Sequence, residues 1–246
     1  MLISYILRAV AVFVVPMTAL ATASMAEEIT VAAGAGYRRP LAEVAAAFEK
    51  SKGDRVLQVY GNMGQVLAQT RESEKISVVC GDQAVLKKAK GVSFDRMLPL
   101  GKGRLVVAYR KGMTLAKPQD IANDTFKRIG IPDQTNAIYG KAGRQFLAHE
   151  HLAEKVDPKL IAVATVPQVA GYVASGEVDA GFMNATAAIA GGDNFGGFVE
   201  VDPKLYEPIE IACGIVTAAK DSATADSFAK FLGSEPARAI LARYGL

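Results

Sequence analysis

Apolar and polar positions along this chain follow two periods in turn. Glu28-Ile29-Thr30-Val31-Ala32-Ala33 is β-branched and reads as a strand that stops at the loop Gly34-Ala35-Gly36. Pro40 then stands where a first helical turn tolerates it, and Leu41, Val44, Ala45 and Phe48 recur at helical spacing as far as Lys52-Gly53. The unit of strand, glycine-rich loop and helix returns at once. Arg55 to Tyr60 is a strand, Gly61-Asn62-Met63-Gly64 a loop, and the residues from about Gln65 to Ser73 a helix. Ile76 to Cys80 reads as a third strand, Gln83 to Lys90 as a short helix, and Arg104 to Tyr109 as a longer strand.

The middle of the chain carries the same alternation, with a strand at Arg128 to Ile131, a helix from about Lys141 to Leu152 and a helix-strand pair from Pro167 to Met183. A strand at Pro208 to Val216 then returns, and two helices follow, Ala223 to Leu232 and Glu235 to Tyr244. Strands alternating with helices predict mostly parallel sheets covered by helices. Ligands of such sheets gather outside the carboxyl ends of the strands. With no low-complexity linker and no fixed repeat, the two halves should be joined by short crossings, near Leu105 to Tyr109 and Glu210 to Val216.

The first residues bear on the compartment. Arg8 precedes an apolar run from Ala9 to about Ala23, and Ser24-Met25-Ala26 then offers small residues to a signal peptidase. The run is shorter than the ~20 residues that span a bilayer. Residues 1–26 therefore read as a cleaved export signal, which leaves about 220 residues, comfortable for two lobes of roughly 100 each. The expected division is 27–107 with 212–246 as lobe one, and 108–211 as lobe two.

Charge changes the picture little. Only Arg8 of the 28 Lys and Arg leaves with the signal, so 27 basic face 25 acidic side chains. That near-balance, without a basic stripe interleaved with aromatics, argues against nucleic acid as a partner. The remaining two cysteines, Cys80 and Cys213, either pair in an oxidising compartment or lie apart as buried thiols.

The residues at the loops resemble those of the periplasmic molybdate-binding protein family, within the type II solute-binding fold. Ile29 to Tyr37 stands where that family has its first strand and serine-bearing loop, Gly61-Asn62-Met63-Gly64 where it has the second, and Cys80-Gly81-Asp82 at the end of its third strand. Phe231 to Gly245 follows the family's closing pattern. The resemblance implies an α/β protein of two lobes and two hinge crossings in the periplasm, a monomer without cofactor. It would close on a small oxyanion or other small ligand and deliver it to the membrane permease of an ABC transporter. It further implies a ligand set of Gly36, Met63, Ala137, Tyr139, Val166 and Asn184. Gly36 and Met63 fall on the family's serine positions and Asn184 on its tyrosine. Two hydroxyl donors are thereby lost, each worth roughly 1.5–3 kcal/mol to a charged guest.

Other features suggest rival chemistry. Met63, Cys80 and Met183 are soft ligands that suit a metal such as Cu(I) if they converge, which would make the protein a soft-metal or small-organic-ligand carrier. A periplasmic ligand-sensing module without a transport role is the other alternative. Arg38 and Arg39 follow the first loop and offer a guanidinium clamp, and Lys141 is expected to face an anion at the start of its helix. His149 and His151, two residues apart, point to different sides of a helix. Gly191 to Gly197 reads as a surface loop. Without a nucleophile elbow or paired acid and base in a recognisable motif, no enzymatic site is expected.

Overall fold

The computed structural model describes residues 27–246; the export segment predicted at residues 1–26 lies outside them. The first strand-loop-helix units form β1 (Glu28–Gly34), α1 (Arg38–Lys52), β2 (Arg55–Gly61), α2 (Met63–Glu72), β3 (Ile76–Asp82), α3 (Gln83–Lys87) and β4 (Phe94–Gly103). The middle of the chain gives β5 (Leu105–Tyr109), β6 (Ile129–Pro132), α4 (Ile138–His149), α5 (Ala153–Val156), β7 (Leu160–Val163), α6 (Val166–Ser175), β8 (Ala180–Asn184), α7 (Ala185–Gly191) and β9 (Gly197–Glu200). The return is β10 (Ile209–Val216), α8 (Ala223–Leu232) and α9 (Glu235–Arg243).

These strands make two five-stranded sheets, ordered β2-β1-β3-β10-β4 and β7-β6-β8-β5-β9. Within each sheet four strands run one way and one opposes them: β10 in the first, β5 in the second. Both opposing strands lie next to a crossing. The chain leaves the first sheet between Gly103 and Leu105 and returns between Glu200 and Ile209, a few residues before the places that strand patterning suggested. The two crossings touch. The Leu105 N–H donates to Tyr206 Oη at 3.1 Å, and the Val201 N–H donates to the Leu105 carbonyl at 3.0 Å.

Helices cover both sheets through their apolar faces. Leu41, Val44, Ala45 and Phe48 of α1 are buried, as the spacing requires, and Phe48 packs edge-on against Phe228 and Phe231 of α8. In the second half Phe146 of α4 meets Phe182 of β8 in the same way. Cys80 on β3 stands directly opposite Cys213 on β10, both fully buried, and the two form a disulfide across 133 residues of sequence. Closing so long a loop in the unfolded chain contributes on the order of 5 kcal/mol in the chain-entropy account.

Candidate functional site

Between the two sheets lies a small cavity built from four short segments. Gly34 to Tyr37 and Gly61 to Met63 come from the strand ends of the first sheet, and Ala137 to Tyr139 and Thr165-Val166 from the second. Each segment leads into a helix: α1, α2, α4 and α6. Helix starts leave backbone N–H groups without intrahelical partners and carry the positive end of the helix dipole. Four of them converge here, and no Lys, Arg, Asp or Glu lines the cavity. The room is only ≈ 20 Å³, against ≈ 300 Å³ in a neighbouring trough.

Side chains at these helix starts hold the geometry. The Asn62 carbonyl oxygen of the side chain accepts the Gln65 N–H at 2.9 Å, while Gln65 Oε1 accepts the Asn62 N–H at 3.0 Å. At the start of α6 Gln168 Oε1 likewise accepts the Thr165 N–H, at 3.0 Å, and Pro167 stands in the first turn. Asn62 also reaches across, donating from Nδ2 to the Ala164 carbonyl at 3.3 Å. The Met63 N–H donates to the Asn136 carbonyl at 3.1 Å.

Two tyrosines meet at the cavity wall. Tyr37 Oη and Tyr139 Oη are hydrogen-bonded at 2.5 Å, one from each side of the cleft. Burial pushes the Tyr37 hydroxyl well above the usual phenol range, with Tyr139 adding to the shift, and burial likewise raises Tyr139. Both are neutral at physiological pH. They share one hydrogen between them, which leaves the other available to a third acceptor. Next to them Asn184, fully buried, donates from Nδ2 to the Gly36 carbonyl at 3.0 Å. Its Oδ1 is buried with no hydrogen-bond partner.

Of the residues expected from the sequence, Gly36, Met63, Ala137, Tyr139 and Val166 line this cavity, and Asn184 lies directly behind Gly36. A side chain at position 36 would meet the Asn184 amide at 2.8–3.1 Å, so the amide fills the space a serine there would need. The soft-metal set does not assemble. Cys80 is consumed in the disulfide, Met183 lies in the large core cluster, and the Met63 thioether packs against Gly34 and Gly81 in a separate one. No group of three His, Cys, Asp or Glu suited to a metal occurs among the described residues. Arg38 and Arg39 do not reach the cavity; they border the neighbouring trough, where Arg38 lies over the Tyr60 ring and Arg39 donates to the Ala190 carbonyl. Lys141 sits a turn inside α4, away from the cavity, because that helix begins three residues earlier than its pattern suggested. Asn62 and Thr165 were missed, although each heads an x-x-Gln capping pattern visible in the sequence. Tyr37 was read only as the end of the first loop segment.

Two α/β lobes joined by paired crossings, with an uncharged cavity between them, define a solute-binding protein of the two-lobed kind. The chain belongs to the bacterial extracellular solute-binding protein family, whose model matches residues 29–246. It is 28% identical over 232 residues to the molybdate-binding protein ModA of Azotobacter vinelandii, covering 92% of each chain. A putative ABC transporter substrate-binding lipoprotein of Bacillus subtilis is 25% identical over 230 residues, covering 88% of this chain and 85% of that one. The solved structure of the Azotobacter vinelandii periplasmic molybdate-binding protein superposes with a TM-score of 0.80 at 24% identity, covering 88% of this chain and 97% of that one. These relatives are binding proteins, and no helix among the described residues is long and apolar enough to cross a membrane.

Proposed function

We propose that this protein is the periplasmic receptor of an ABC-type uptake system and closes its two lobes on a small oxyanion. The observation that carries the reading is the convergence of four helix starts on one uncharged cavity. Such a site offers N–H donors and dipole ends to negative charge without a counter-cation. The relatives named for molybdate binding and ABC transport support the same reading. Gly36, Met63, Ala137, Tyr139 and Val166 supply the wall, with Asn184 behind it. The paired hydroxyls of Tyr37 and Tyr139 take over the work of the serines that the molybdate-binding pattern has at positions 36 and 63. Lobe one comprises residues 27–103 and 209–246 and lobe two residues 105–200. They swing about the paired crossings, and a ligand that contacts both stabilises the closed form by its differential affinity. Residues 1–26 direct export and are removed, and the mature receptor works as a monomer with no nucleic-acid partner.

Thermal unfolding of the purified protein with molybdate, tungstate, sulfate and phosphate tests this. A guest at a hundredfold its Kd adds about 2.7 kcal/mol to stability, so at least one oxyanion should raise the melting temperature by several degrees. The absence of any rise at millimolar concentrations would refute the oxyanion reading.

A further inference from the structure

The segment Ala35-Gly36 that walls the small cavity has a second side. Ala35 and Gly36 also border the larger trough, ≈ 300 Å³, that runs between the start of α1 and the faces of α6 and α7. The trough has two kinds of wall. Ala170, Ala174, Ala187 and Phe195 make it apolar, while Arg38 and Arg39 stand at its rim, and no carboxylate lines it. Arg38 forms no ion pair with any described residue. Gly171, which also borders it, is unusual in another way. It lies in the middle of α6, where glycine costs about 1 kcal/mol relative to alanine, yet a Cβ there would meet nothing within 4 Å. Packing within the protein does not call for a glycine at this point. What glycine does provide is room in the trough.

Resting on the oxyanion reading, we infer that the natural guest is an organic oxyanion: a phosphonate, phosphate ester or sulfonate whose anionic head enters the small cavity and whose apolar body lies in the trough. A bare tetrahedral oxyanion would leave the trough to water and Arg38 without a counter-charge. An organic guest removes apolar wall from water, which is favourable at roughly 25 cal/mol per Å². It also touches both lobes over a longer surface and so favours closure more strongly.

The test compares matched pairs by calorimetric titration of the purified protein: inorganic phosphate against phenylphosphonate, and sulfate against benzenesulfonate, with molybdate alongside. One organic member should bind at least tenfold tighter than its inorganic partner. Gly171→Phe, which fills the trough from open space on a helix that gains propensity by the change, should bring that ratio to near one. Ala174→Leu should lower it in the same direction, which guards against misfolding of a single variant. Inorganic members binding as tightly as organic ones would overturn this inference and leave the oxyanion receptor intact. An organic preference that survives both substitutions would overturn the assignment to the trough. Failure of every anion to bind would overturn the oxyanion reading itself.

Discussion

Gly36 and Asn184 are one feature shared between two lobes. The amide of Asn184 lies where a side chain on residue 36 would go, and its Nδ2 holds the Gly36 carbonyl. Gly36→Ser therefore does not restore a serine donor by itself; it forces two groups into one space. Overpacking of this kind costs about 1–3 kcal/mol. The expected result is a lower melting temperature for the single variant, partly recovered in Gly36→Ser with Asn184→Ala. The non-additivity between the two should exceed about 0.5 kcal/mol, the mark of residues in direct contact. Chemical denaturation of the four proteins in that cycle measures it. From the sequence the two positions could be marked as changed ligand positions but not as partners. They are 148 residues apart, and no local pattern links them.

Among the elements, the start of α2 joins folding and function most directly. Asn62 caps the helix through Gln65 and crosses the cleft to Ala164 with the other end of its amide. Asn62→Ala loses both roles and should lower stability by about 1 kcal/mol from the cap alone, a melting shift of roughly 2–4 °C in a protein of this size. Asn62→Asp keeps an acceptor for the Gln65 N–H but cannot donate to Ala164. It should hold its melting temperature near wild type while weakening oxyanion binding, because a carboxylate now borders the cavity. Thermal melts with and without oxyanion separate the two variants. Elements of this kind were legible because glycine loops and periodic helices mark themselves. Others were not. β4 contains Pro99 and Gly101, shows no steady alternation of burial and meets β10 with register shifts, so its sequence has no strand signature. The start of α4 is obscured by Gly140 and Gly143, residues with poor helix propensity that the close approach of this helix to β6 and β8 requires.

For the whole molecule, the alternation of strand and helix already implied two lobes, since about 220 residues in repeated units rarely share one core. The points where the chain changes sheet were harder to read. Only Arg104 separates β4 from β5, so no loop marks the point where the chain passes from one sheet to the next. The trough beside the small cavity was also beyond the sequence, because it gathers residues of α1, α6 and α7 through space. The disulfide sets a further property of the whole. Cys80 lies on the last strand before β4, and Cys213 lies on the strand by which the chain comes back, so the entire second lobe is a loop whose two roots are tied in the first. Any single cut between residues 81 and 212 then leaves both pieces in one covalent body. Limited proteolysis in that lobe should show one band on a non-reducing gel and two after reduction, and two bands without reductant would disprove the tie. A binding protein built this way can suffer a broken backbone in its second lobe without losing either half.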